Sequence, residues 1–298
     1  MMRIALALLA ACLALPALAG APESPPALSA AQIVEKNVAA RGGLDAWRKI
    51  NTMAWAGHIE SGNVPGAALP FVLEMKRPDK TRFEIHVQNQ RSVRMYDGTH
   101  GWKLRPARDG QPDLQPYTSE ELKFAHDAEG IDGPLMDSQA KGVSVALEGV
   151  EEVGGNKAYR LAVKLPSGAS RHVWIDAQSF LEVQSDREAH NAVGMSGTVT
   201  VHYRDYRTID GVQIPFMIES GGSASQATDK MVIDRIALNP PLEDWMFARP
   251  EVRQPHPMIR AAAGLPNLTR PNGVGAPALR AIAATPNPSA VLGSGHVQ

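Results

Sequence analysis

The sequence predicts a mainly β (α+β) protein built on an antiparallel meander with one apolar face, and three observations lead there. Between Lys157 and Ile218 apolar residues recur at every second position in five runs: Tyr159, Leu161, Val163 and Leu165; Val173 and Ile175; Leu181 and Val183; Val199, Val201 and Tyr203; Ile214, Phe216 and Ile218. This is the period of half-buried strands. The runs are separated by Pro166-Ser167-Gly168, Asp176-Ala177-Gln178-Ser179 and Asp210-Gly211, all chemistries that favour reversal of the chain. Similar runs lie nearer the N-terminus, and helical patterns are few. About ten strands with little to cover them leave apolar area that must close on itself or receive a guest. The expectation is a concave lipophilic surface.

At 298 residues, with 44% hydrophobic and 20% charged residues, the chain is globular in composition. A formal net charge of -1 argues against a nucleic-acid binder, which needs a basic face to displace counterions.

The N-terminus opens with Arg3, an apolar stretch from Ile4 to Leu15, and Ala17-Leu18-Ala19 before Gly20. That is the layout of a cleavable secretory signal peptide over residues 1–19, too short and too broken by Pro16 to span a membrane. Cleavage after Ala19 would remove Cys12, the one cysteine. An alternative stays open: Leu9-Ala10-Ala11-Cys12 resembles a lipobox, which would leave the protein lipid-anchored through Cys12.

Residues 20–28 form a Pro-containing leader. Ser29 with Gln32 has capping-box spacing, and Ile33, Val34 and Val38 follow at helical intervals up to Gly42-Gly43, where a left-handed residue can close the last turn. Leu44 to Ile50 reads as a second short helix. Strands follow through Met53, Trp55 and Ile59; Phe71, Leu73 and Met75; Phe83, Ile85 and Val87; Val93 and Met95; then Trp102 and Leu104. Pro78-Asp79-Lys80 and Asp97-Gly98-Thr99 supply turns. Residues 106–117 read as a polar loop, Ser119 to Ala128 as a helix presenting Leu122, Phe124 and Ala125, and Ile131 to Gly142 as loop. Val143, Val145 and Leu147 begin the next strand, Gly154-Gly155-Asn156 turns into the meander, and Met231 to Leu238 is the last strand. Residues 29–250 are thus one domain. Residues 251–298 hold seven prolines and no Phe, Trp or Tyr, with Arg253, Arg260, Arg270 and Arg280 against Glu251. This weakly basic tail is expected to be disordered.

The chain contains no Gly-x-Ser-x-Gly elbow, no His-Glu-x-x-His and no phosphate-binding glycine loop. No enzyme activity, catalytic residue, metal or cofactor is expected. His58, His86, His172 and His202 lie on strand-like runs without paired spacing, and Asp127, Glu129 and Asp132 read as solvated loop charges. Alternation places Arg204, Asp205 and Arg207 in exposed cross-strand pairs. The apolar positions expected to line a ligand surface are Trp47, Trp55, Phe71, Leu73, Phe83, Ile85, Trp102, Leu122, Leu161, Val163, Val199, Val201 and Phe216.

Several segments taken together resemble the LolA-like outer-membrane lipoprotein-sorting family: Ala40-Arg41-Gly42-Gly43-Leu44-Asp45-Ala46-Trp47; a strand with Gly57; Tyr96-Asp97-Gly98-x-x-Gly101-Trp102; Tyr203-Arg204-Asp205-Tyr206; Asp210-Gly211-Val212-x-Ile214-Pro215-Phe216; and Asn239-Pro240-Pro241-Leu242-x-Asp244. The resemblance spans about residues 29–250. It implies a half-open antiparallel β-barrel with short helices over the concave side, a periplasmic location, and a hydrophobic cavity for lipids or the acyl chains of lipoproteins on their way to the outer membrane. An inner- or outer-membrane protein is the implied partner. The alternative function is that of an envelope sensor or scaffold, the use LolA-like domains have in stress-response regulators. Arg41, in the helix-end motif, is not assigned the family's lid-closing role.

Overall fold

The computed structural model describes residues 28–250 except 63–65, 67, 88–89, 107–111, 128–129, 191–195 and 222–228. The expectations for the signal peptide, Cys12, most of the leader and the 251–298 tail fall outside the described residues.

Two helices, α1 (Ala30–Ala40) and α2 (Leu44–Arg48), precede six strands: β1 (Thr52–Glu60), β2 (Ala68–Lys76), β3 (Lys80–Val87), β4 (Gln90–Tyr96), β5 (Gly101–Pro106) and β6 (Pro112–Pro116). Helix α3 (Ser119–His126) and the segment 130–143 lead to seven more: β7 (Ser144–Val153), β8 (Asn156–Lys164), β9 (Ser170–Asp176), β10 (Glu182–His190), β11 (Ser196–Ile209), β12 (Val212–Gly221) and β13 (Asp229–Leu238). A 3₁₀ turn at Asp244–Met246 follows.

All thirteen strands belong to one antiparallel sheet in the order β6-β5-β4-β3-β2-β1-β13-β12-β11-β10-β9-β8-β7. Two meanders run outward from the central β1–β13 pair, and β6 and β7 form the two edges. The sheet is open. Among the described residues, the two edges are connected by the stretch holding α3 and residues 130–143.

Cross-strand partners share a face, so the register sorts the side chains. Leu73 lies opposite both Trp55 and Phe83, Ile218 opposite Met231 and Tyr203, and Leu161 opposite Val173 and Leu147. These residues define an inner face. Strand β12 shows it most plainly, with Val212, Ile214, Phe216 and Ile218 buried and the residues between them half-buried.

Short segments cover the inner face. Trp47, Ile50, Ile131 and Met136 pack into one cluster with β1–β3 and β11–β13; Ile33 and Leu135 pack into a second with β8 and β9. Helix α1 starts with the expected capping box, Ser29 accepting from the Gln32 N–H while the Gln32 side chain accepts from Ser29 N–H. It ends where Gly43 N–H reaches back to the Val38 carbonyl, with Gly42 at φ 107. A Cβ on Gly42 would fall 2.3 Å from the Gly211 carbonyl oxygen, so glycine lets the helix end press against the β11–β12 turn. There Gln213 N–H donates to the Arg41 carbonyl.

Other residues of the family-like segments act the same way. Asn239, at φ 54, accepts from Asn51 N–H and donates to the Lys49 carbonyl, while Thr52 donates to the Pro240 carbonyl, fastening the chain after β13 beside the start of β1. Asp244 pairs with Lys76 and Lys80 at 2.8 and 2.9 Å.

Several local expectations change. The supposed polar loop 106–117 contains β6, paired along β5 from Trp102↔Pro116 to Pro106↔Pro112; its prolines and charges hid a strand whose one apolar anchor is Leu114. The second helix stops at Arg48, and the third ends at His126 rather than 128. Strand β10 runs on past Val183 through a polar sequence, held by β9 and β11. Asp127 and Asp132 are buried, not solvated, and Arg77 and Lys141 come to meet the Asp132 carboxylate; Glu129 lies outside the described residues.

Candidate functional site

Between the covering segments and the inner face lies a cavity of about 90 Å³. Its apolar wall comes from Trp47, Trp55, Met75, Val173, Ile214 and Ile218. Residues 130–134 of the covering segment contribute to its lining. The remaining wall is polar: Arg41, Asp132, Arg171, Glu182, Ser185 and the phenols Tyr203 and Tyr206.

Each polar group is held by a specific element. Arg41, at the end of α1, stacks 4.4 Å over the Trp47 ring, donates to the Asp132 carbonyl at 2.9 Å and lies 3.5 Å from Glu182. The Asp132 carboxylate accepts from Arg77 and Lys141, each at 2.7 Å. Arg77 also donates to the Ile50 and Trp47 carbonyls. One guanidinium thus ties the end of β2, helix α2 and the covering segment together. Tyr203 shares a hydrogen bond with Ser185, and Tyr206 donates to the Glu182 carbonyl. Burial, helped by the nearby Glu182 charge, pushes the Tyr203 hydroxyl up to about 12 and raises Tyr206 well above its ordinary value, so both stay neutral. Two polar atoms of the wall find no hydrogen-bond partner: Trp55 Nε1 and Glu182 Oε1.

Of the thirteen expected lining positions, Trp47 and Trp55 border this cavity directly. Phe71, Leu73, Phe83, Ile85, Val199, Val201 and Phe216 belong to the same inner-face cluster, and Leu161 and Val163 to the neighbouring one. Trp102 sits on the other face: it pairs with Met95 and packs with Val93, Leu104 and Leu114. Leu122 is half-buried on α3. The polar wall had no sequence signal beyond the Tyr203-Arg204-Asp205-Tyr206 run. There Arg204 and Asp205 pair at the surface with Glu219 and Arg207, while Tyr203 and Tyr206 turn inward.

Beyond Phe83 the inner face becomes cationic, since Arg94 lies opposite Phe83 and Lys103 opposite Arg94. Helix α3 covers these through Glu121, whose carboxylate accepts from Lys103 at 2.8 Å, Arg94 at 3.0 Å and Thr118 N–H at 2.8 Å. Burial raises the Glu121 pKa, but Lys103, the Thr118 amide and Arg94 outweigh it and hold the carboxyl down at about 2, from an ordinary 4.5. A depressed carboxyl stabilises the fold above its unfolded value and loses that contribution as pH falls through the folded one. Between pH 4.5 and 2 the wild type should therefore lose stability faster than Glu121→Gln, and denaturant midpoints measured across that range check it.

Among the described residues no group of three or more His, Cys, Asp or Glu is placed to hold a metal ion. His172 lies 2.9 Å from Asp186 and His86 2.7 Å from Glu84, ordinary side-chain pairs. No described helix is long and apolar enough to cross a membrane.

No family profile and no curated protein matches the sequence. Solved structures do match. An outer membrane lipoprotein-sorting protein domain from Vibrio parahaemolyticus superposes with a TM-score of 0.50 at 10% identity, covering 72% of this chain and 94% of that one. This chain shares its fold with that domain. A LolA superfamily protein from Nitrosomonas europaea (TM-score 0.48, 16% identity, 74% and 98% coverage) and a DUF1329 family protein from Desulfovibrio piger (0.48, 12%, 74% and 97%) are also similar. Gly42 and Asn239 sit where a helix end and a strand junction are fastened, which accounts for their presence without assigning them a ligand.

Proposed function

We propose that the chain is a periplasmic carrier or binding protein for lipids or lipoprotein acyl chains, exported by the 1–19 signal peptide, with residues 29–250 as the binding domain and 251–298 as a tail. One observation carries this reading. The apolar inner face of an open sheet is covered by short segments, not by a second sheet, and their contact with the sheet includes a cavity. The fold shared with a lipoprotein-sorting domain supports it. The 90 Å³ present falls well short of the roughly 300–1,000 Å³ of ligand pockets. An acyl chain therefore enters by displacing the cover, in particular Trp47, Ile131 and Met136, and takes their place against Phe71, Leu73, Phe216 and the other inner-face residues. Each methylene buried contributes about 0.8 kcal/mol before the costs of association. Nothing in this process needs a catalytic group.

The test is to purify the exported protein, extract it and identify bound lipid by mass spectrometry, with titration of a fluorescent fatty acid alongside. Copurifying lipid, or saturable binding at one site, is the expected result. A lipid-free protein that ignores the probe but crosslinks in cells to an envelope protein would replace carriage with the scaffold role.

A further inference from the structure

We infer that the cavity is a head-group site for an uncharged, hydroxyl-bearing lipid, such as a glyceride with a free hydroxyl. This rests on the lipid-binding reading and specifies which end of the lipid lies where.

Two residues of the cavity wall carry a polar atom that makes no hydrogen bond, one a donor and one an acceptor. Trp55 Nε1 is an N–H in a residue about nine-tenths buried, and Glu182 Oε1 is a carboxylate oxygen that forms an ion pair with Arg41 at 3.5 Å but accepts no hydrogen bond. Buried polar atoms are normally satisfied, and leaving one unmade costs about 1–3 kcal/mol. Both residues border the same cavity, beside the apolar face that would receive a chain.

The chemistry of the two vacancies selects the ligand. A hydrocarbon answers neither. A fatty-acid carboxylate accepts from Trp55 and faces the Arg41 and Arg171 guanidiniums, but it has no proton to donate to Glu182 and meets its like charge. An ammonium group answers Glu182, offers Trp55 nothing and meets the Arg41 cation. A hydroxyl or glyceryl group both donates and accepts, and adds no charge to a buried site where unpaired charge is expensive. The size agrees, since 90 Å³ admits a small polar head and falls short of the roughly 300–1,000 Å³ of pockets that hold whole ligands. The head would occupy space that exists, and the chain would occupy space the cover vacates.

The experiment measures displacement of a bound fluorescent alkyl probe by three chain-matched ligands, 1-monolauroylglycerol, dodecanoate and dodecane, at neutral pH. The wild type should favour the glyceride over the other two by about tenfold, the scale of one satisfied buried hydrogen bond. Trp55→Phe should weaken the glyceride by about fivefold while leaving dodecane unchanged. Glu182→Gln, which removes the like charge, should shift the dodecanoate-to-glyceride ratio by about tenfold toward dodecanoate. These are ratios within one variant, so a general loss of stability does not imitate them. If all three ligands bind alike and respond alike to both substitutions, the head-group assignment falls and carriage stands. If none of them binds, both fall together.

Discussion

Gly57→Ala should lower the denaturation free energy by about 3 kcal/mol, at the upper end of what overpacking costs. Gly57 lies on β1 at the point where the β1–β13 register slips between Ala56 and Gly57. A Cβ there would stand 2.0 Å from the Val232 carbonyl oxygen and 3.0 Å from the Phe71 ring. The ring can yield slightly. The carbonyl belongs to the backbone of the partner strand and cannot do so without parting the two strands. This pair is also the only place where the N-terminal and C-terminal meanders meet as one sheet, so the strain is not confined to an edge. Thermal unfolding should show a midpoint lower by about 10 °C, given the usual few degrees per kcal/mol for a domain of this size. Gly149→Ala is the control. It lies on β7 with nothing within 4 Å of the added carbon, and it should change the midpoint little. Equal effects from the two substitutions would refute the close-approach argument.

Asp132→Asn should destabilise the protein and yet speed lipid uptake. Its carboxylate is buried and receives Arg77 and Lys141, whose side chains are each 28% exposed. Breaking a fully buried pair costs about 3–5 kcal/mol; the solvent reaching both cations reduces this to about 2 kcal/mol. What is lost is the knot between the covering segment and the end of β2. If the cover must lift before an acyl chain enters, a cover that opens more easily by 1.4 kcal/mol raises the competent fraction and the apparent association rate about tenfold. Stopped-flow binding of a fluorescent fatty acid, read beside denaturant melts, checks both directions at once. Leu161→Ala separates cover from core. Leu161 is fully buried on β8, and its truncation should cost about 2–5 kcal/mol with no gain in uptake rate. Slower or unchanged uptake in Asp132→Asn would show that chains enter by another route.

The sheet was legible because the inner-face strands obey period two over many residues, as β8 and β12 do. Their turns also carry residues that bend for steric reasons, with Gly154, Gly155, Gly168 and Gly211 all at positive φ. Strands β6 and the far end of β10 were not, since they are held by neighbours rather than by apolar alternation. The same pattern set Trp55 on the inner face, but Met75, Val173, Ile214 and Ile218, which also border the cavity, were not among the expected lining positions. The polar half of the site was not legible: nothing in the local sequence separates Asp132, which meets Arg77 from across the fold, from a loop aspartate in water. Trp102 shows the converse limit. It alternates correctly within β5, but parity within one strand fixes only that neighbours face opposite ways, and the register through β4 and β3 assigns it to the face away from Phe83 and Leu73.

The central pairing of β1 with β13 joins segments far apart in the chain, with Met53 opposite Leu238. Closing so long a loop is entropically costly and makes formation of the complete sheet slow. While the polypeptide is being synthesised, β1 has no partner on that side until nearly the whole domain has emerged. The nascent protein therefore stays incompletely folded for most of its synthesis, with final assembly delayed until the last strand is available to pair with β1.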